Sequence, residues 1–198
     1  MPTRLFGLIV SVVVYKSKIM KRLFLFAWAL ICSALALGST PADSLVLKPK
    51  AVYGKEARVV SYILDNNHYR KIQLNDSLSS AILDAYLRSL DNNKSYFLQS
   101  DIQMFEKYRF TLDDLTRKED VSAAYDIYNT FMKRSRERMD YVLNKLVNSS
   151  FDYTADEYYE TEREKEPWAR TSAELDEVWR KIIKSQALSL RLLAKRKD

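Results

Sequence analysis

The chain has 198 residues, with three glycines, four prolines, one cysteine, one histidine and a formal charge of +6. Residues 1–42 carry Arg4, Lys16, Lys18, Lys21 and Arg22 without an acid, so they supply +5 and everything from Asp43 onward only +1. A basic pI marks a phosphate-binding footprint only when the excess belongs to the folded domain, so a nucleic-acid partner is not expected.

Met20-Lys21-Arg22 opens a positively charged segment, Leu23 to Leu37 is apolar, and small residues follow in ALALGSTPAD. This is the order of a secretory signal peptide over 20–42, with cleavage after Gly38 or after Ala42. The apolar run is about 15 residues, short of the roughly 20 a spanning helix needs, and an uncleaved anchor is the other reading. Residues 1–19 hold a second apolar stretch ending in Lys16 and Lys18, read as a start-site artefact before Met20 or as an amino-terminal extension. Cys32 lacks the small preceding residue of an acylation site, because Ile31 stands there. Removal of the leader leaves a mature chain without cysteine, so export to an oxidising compartment would bring no disulfide. The expected location is the periplasm.

The glycines are Gly7, Gly38 and Gly54, and the only proline after residue 54 is Pro167. Tight sheet turns use Gly to reach positive φ, so about 140 residues without one predict an all-α fold: an irregular multi-helix bundle over 43–198. Val60, Ile63 and Leu64 form a first apolar stripe. Leu78, Ile82, Ala85 and Tyr86 form a second, with Asp76 placed to cap it. In LDNNKSYFLQSDI, Leu90 to Ile102, the asparagines Asn92 and Asn93 are expected to take the left-handed conformation that ends a helix. Ser100 and Gln103 then read as a capping box, with Ile102, Phe105 and Tyr108 or Arg109 on successive turns.

After Asp120 the longest helical run carries Ala124, Tyr128, Phe131, Ser135, Met139, Val142 and Leu146. The cluster Lys133, Arg134, Arg136, Glu137 and Arg138 in its middle reads as a solvated face. Thr154 with Glu157, and Thr171 with Glu174, are two further capping boxes. The first opens an acidic, tyrosine-rich turn or short helix that stops at Pro167. The second opens a final helix with Leu175, Val178, Trp179, Ile182 and Ile183 apolar.

Catalytic, cofactor and metal residues are all expected to be absent. A Ser/His/Asp triad would rest on His68, with no glycine-flanked serine downstream to form the sharp nucleophile turn. A Cys/His dyad would need Cys32 from the leader. The acids of DEYYE and the pair Asp113 and Asp114 lack the Glu-x-x-His partner of carboxylate di-metal bundles. A Ser/Lys dyad needs an oxyanion hole of crowded backbone amides, and a phosphate loop needs glycines, neither of which is available after Gly54.

LSSAILDAYLRSLDNNKSYFLQSDIQMFEKYRFTLDDL, AAYDIYNTFMKRSRER and PWARTSAELDEVWRKIIKSQALSLRL together resemble the amino-terminal helical domain of the tail-specific proteases, or carboxy-terminal processing peptidases. The resemblance runs from about Val52 to Leu193, and L-D-x-x-K-x-Y-F-L-x-x-D-I followed by D-E-V-W-R-K is its most specific part. It implies an exported serine peptidase whose helical domain precedes a PDZ module and a Ser/Lys protease core, both missing from this sequence. No catalytic residue is therefore carried over, and Tyr96, Phe97, Trp168 and Trp179 become structural anchors. The implied role is a non-catalytic scaffold that frames the substrate. Its implied partners are the missing modules, unfolded or tail-exposed protein substrates and an adaptor, with the membrane met only through an uncleaved leader. A stand-alone periplasmic helical adaptor or binding protein is the alternative.

Overall fold

The computed structural model describes residues 46–71 and 73–196; the expected segments 1–19 and 20–42, with Cys32, lie outside them. Among the described residues there are six α-helices: α1 Ala51–Asn67, α2 Asp76–Asp91, α3 Gln99–Phe105, α4 Leu112–Arg117, α5 Ser122–Tyr141 and α6 Ser172–Lys195. A 3-10 turn, Glu106–Tyr108, continues α3, and a π-helical turn, Val142–Leu146, continues α5. No strand occurs among these residues; Leu98 and Ala169 form one isolated parallel bridge. The expected all-α bundle is therefore present. Its longest helices are α6, at 24 residues, and α5, at 20 and continued by the π-helical turn.

Helix starts follow side-chain chemistry, in places one residue from where the sequence pattern put them. Asn75, not Asp76, caps α2: its Oδ1 accepts the Leu78 amide at 3.1 Å, and Asp76 sits in the first turn, where its charge favours the helix dipole. α3 begins at Gln99, and the expected Ser100–Gln103 box does not form. Asp101 instead reaches back to accept the Leu98 amide at 2.9 Å. Half of the Thr171 box is present: Thr171 Oγ1 accepts the Glu174 amide at 3.1 Å, while the Glu174 carboxylate accepts the Arg170 amide at 2.8 Å, one residue before the cap. The Thr154 box is absent. Asp152 takes the Thr154 amide and hydroxyl, and Glu157 turns to α6, accepting from Arg180 at 2.9 Å and Lys184 at 2.8 Å. The segment is non-helical except for a 3-10 turn at Arg163–Lys165.

The core lies where α2, α3 and α5 meet. Leu83 and Leu87 from α2, Phe97, Phe105, Tyr108, and Ala123 and Ile127 from α5 are buried together. Burying a side chain such as Phe97 contributes roughly 1.5–3 kcal/mol. The register of two stripes is corrected in part: Tyr86 and Phe131 do pack on the core and Leu146 is buried, but other members are not. On α2 the buried line is Ser79, Leu83, Leu87 and Asp91, while Ile82 is 41% exposed. On α5 it is Ala123, Ile127 and Arg138, and Met139 is exposed. Both true stripes contain polar residues that a purely apolar count skips. Ser79 belongs to its stripe because its hydroxyl donates to buried Asp113 at 3.0 Å and accepts the Asp113 amide at 3.0 Å.

The arginines of α5 are a second correction. Arg134 grips buried Asp101 with two nitrogens, at 2.8 and 2.9 Å. Arg138 is buried between α5 and α6, where it pairs with Asp176 and donates to Ser172 Oγ at 3.1 Å. The planar guanidinium makes such two-pronged carboxylate contacts possible. What reads as a solvated charge cluster is in part the fastening of α5 to its neighbours.

α1 is peripheral, and Gly54 is its one buried residue. An added Cβ there would lie 1.8 Å from the Glu119 carbonyl oxygen, so the missing side chain is what lets α1 touch the α4–α5 turn. Arg58 pairs with Glu119 at 3.0 Å beside this contact. Asn129 exchanges two 2.9 Å bonds with the Leu47 backbone just before the helix. The stripe expected to bury α1 does not: Val60, Ile63 and Leu64 are about half exposed (54%, 50% and 48%).

Candidate functional site

The corner between α2 and α3 is held by a dense set of contacts. Asn92 is helical (φ −59°), and the left-handed residue is Lys94 (φ 48°), not either asparagine. What turns the chain is Asp91. Its buried carboxylate accepts the Ser95 amide at 2.8 Å and the Tyr96 and Phe97 amides at 2.9 Å each. A carboxylate that gathers successive amides can do for a corner what glycine does by its backbone freedom, and the three bonds fix it tightly.

The rest of the protein closes over that corner. Trp179 of α6 donates its indole N–H to the Ser95 carbonyl at 2.6 Å, and Lys94 Nζ donates to the Glu166 carbonyl at 2.6 Å while lying 5.5 Å from the Trp168 ring centre. Phe97 is fully buried, edge-on to Phe105 at 5.5 Å and to Trp168 at 6.1 Å. Tyr96 meets Phe131 at 5.2 Å and Trp179 at 5.5 Å. Such edge-to-face contacts add about 0.5–1.5 kcal/mol each beyond the buried area. The four expected anchors therefore converge. The Asp91 carboxylate, the Lys94 ammonium and the Trp179 indole all bond within the chain, and a cavity of about 280 Å³ lined by Asp91, Asn92, Lys94 and Trp168 lies against the corner.

His68 caps α1: its amide donates to the Leu64 carbonyl at 3.1 Å and its Nδ1 accepts the Arg70 amide at 3.2 Å. Asp113 and Asp114 part company. Asp113 is buried against Ser79 and Arg117 (2.9 Å), whereas the Asp114 side chain is 63% exposed. Burial pushes the Asp113 carboxyl up, but hydrogen bonds from Ser79, Arg117 and the Asp114 amide outweigh it and hold its pKa below the usual carboxylate range. Among the described residues no three His, Cys, Asp or Glu side chains gather as metal ligands.

One open feature among the described residues is an apolar cleft. Val60, Leu64 and Ala57 of α1 face Leu78 and Ile82 of α2 across a cavity of about 520 Å³, floored by Leu74 and Thr116. Leu74, Ile82 and Thr116 also border a second cavity of about 310 Å³ that continues past Tyr86, Leu115, Val121 and Ala124. The residues a sequence count assigns to the core of α1 and α2 are thus the walls of a half-open apolar channel. Sequence reasoning found these side chains but not that their stripes stay apart.

This all-α bundle falls in a family of helical domains: the model of the tail-specific protease N-terminal domain matches residues 59–198, and the chain belongs to that family. The Tail-specific protease of Haemophilus influenzae is 33% identical over 192 residues, covering 92% of this chain. The chain spans 27% of that relative's length.

Proposed function

We propose that this chain serves as the non-catalytic helical scaffold of an exported tail-specific serine peptidase, framing substrates for a PDZ module and a Ser/Lys core in the periplasm. The family match supports this reading, and the single observation that carries it is the corner itself. Asp91, Asp101, Arg134 and Arg138 are buried or nearly so, and their bonds join one helix to the next, leaving a rigid frame rather than a reactive cleft. Among the described residues no helix is long and apolar enough to cross a membrane.

The test is complementation. The Haemophilus influenzae relative, deprived of the segment this chain matches, is mixed with the purified chain and an unfolded protein ending in apolar residues. Restored cleavage with both components, and none with the chain alone, is the expected result. Cleavage by the chain alone overturns the proposal. The half-open channel favours a second reading, a helical adaptor or binding protein, for which binding of the unfolded protein without any restored cleavage is the expected outcome.

A further inference from the structure

Leu146 and Ala169 are both buried, and no residue between them is. Among the described residues, the one backbone group of 150–168 that bonds outside this segment is the Glu166 carbonyl, which accepts from Lys94 at 2.6 Å. A stretch tied at its ends and so thinly held between them belongs to the low-stability part of a fold. Three buried side-chain atoms among the described residues lack a hydrogen-bond partner, and two of them, Tyr153 Oη and Arg163 Nε, lie in this strap. Closing it therefore leaves polar groups unmet, a cost that opening relieves.

The middle of the strap is held by charge and one ring. Residues 152–166 hold seven acids against two bases, whereas α6 from Arg180 to Lys195 holds five bases and no acid. Positions 180, 184 and 191 share one face of that helix. On it the Glu157 carboxylate accepts from Arg180 at 2.9 Å and from Lys184 at 2.8 Å. Four residues earlier the Tyr153 ring centre lies 4.7 Å from the Arg191 guanidinium and 6.0 Å from Lys184 Nζ. Beneath this cover the Lys184 side chain is only 12% exposed. The cations of α6 are thus not a bare surface: they hold an acidic, non-helical peptide that belongs to the same chain.

We propose that the Arg180–Lys184–Arg191 face of α6 is a binding site for an unstructured acidic peptide with an aromatic ring four residues before a carboxylate. Residues 150–166 are its occupant in cis, and they lift off as one piece to admit a competing segment while the bundle stays folded. The occupant seen in the structure is itself polypeptide, which fixes the class of ligand, and its ring and carboxylate fix the two features that are read. The inference goes beyond the scaffold reading and rests only on contacts within this chain, so it stands or falls independently of the complementation test.

A fluorescently labelled peptide of residues 150–161 is titrated against the purified chain and against an open variant, Tyr153→Ala with Glu157→Ala, in which the strap loses both grips and α6 keeps its cations. Helical circular dichroism is expected to be the same in both, since neither substituted residue is buried. The peptide binds the open variant, and binds the wild type at least about fivefold more weakly, because the tethered strap competes at an effective concentration in the millimolar range. Peptides carrying Tyr153→Ala or Glu157→Gln bind the open variant about two- to fivefold more weakly each. Arg180→Gln with Lys184→Gln, added to the open variant, weakens binding roughly tenfold. Equal binding to wild type and open variant overturns the proposal, as does no binding to the open variant at about 1 mM peptide. Binding indifferent to the loss of the two cations, or an open variant that loses helix, overturns it as well.

Discussion

Asp91 shows how one side chain can replace a missing glycine. Its carboxylate meets three amides in a row, so Asp91→Ala strands buried donors at about 1–3 kcal/mol each and should cost at least about 3 kcal/mol. Phe97→Ala, which leaves a hole among Phe105, Phe131 and Trp168, should cost about 3–5 kcal/mol. Urea melts measure both, and a midpoint unchanged in either variant would contradict the placement of that residue at the centre of the fold. The aromatic anchors could be read from the sequence because large rings in a charged chain have few places to go. The role of Asp91 could not, because its three bonds depend on the path of the residues that follow it, and nothing in the letters L-D-N-N distinguishes a buried acceptor from a surface acid.

At the level of the helix, Gly54 has an effect opposite to its usual one. Replacing a glycine inside an exposed helix by alanine ordinarily gains about 1 kcal/mol. Here the added carbon meets the Glu119 carbonyl, so Gly54→Ala should push α1 off the bundle. Hydrogen exchange would show faster exchange in Ala51–Asn67 with α2 and α5 unchanged, and equal protection of α1 in both proteins would count against the contact. Helix number and type were legible because apolar spacing and the absence of glycine over the last three-quarters of the chain leave no other regular structure. The facing of α2 and α5 was not, since both helices carry apolar residues on adjacent faces. Choice between the faces is made by Ser79, Arg134 and Arg138, polar residues whose acidic partners lie 33 to 38 positions away. The apolar stripes read on α1 and α2 are the walls of the cleft between them rather than a closed seam.

Across the whole molecule, acids hold the pieces together. Asp113 joins α2 to α4, and Glu157 ties the non-helical segment to α6, with its carboxyl held below the usual range by Lys184 and Arg180. A carboxyl depressed in the folded state gives stability that is fully present above its unfolded pKa, near 4, and is lost as pH falls through the folded value. Urea melts from about pH 6 down to about pH 2 should therefore show falling stability, and the gap between the wild type and Asp113→Asn should narrow over the same range. A gap that stays constant with pH would show that Asp113 is not held in its charged form by Ser79 and Arg117. The bends of this bundle have a related property. Lys71, Lys94 and Glu119 take the left-handed backbone that glycine adopts without strain, at φ 49°, 48° and 62°. Two of the three also reach across the fold, Lys94 to the Glu166 carbonyl and Glu119 to Arg58. Such a hinge is also a latch: easing its backbone with a smaller residue would unhook the neighbouring strap, so local comfort and global closure pull in opposite directions at the same two positions.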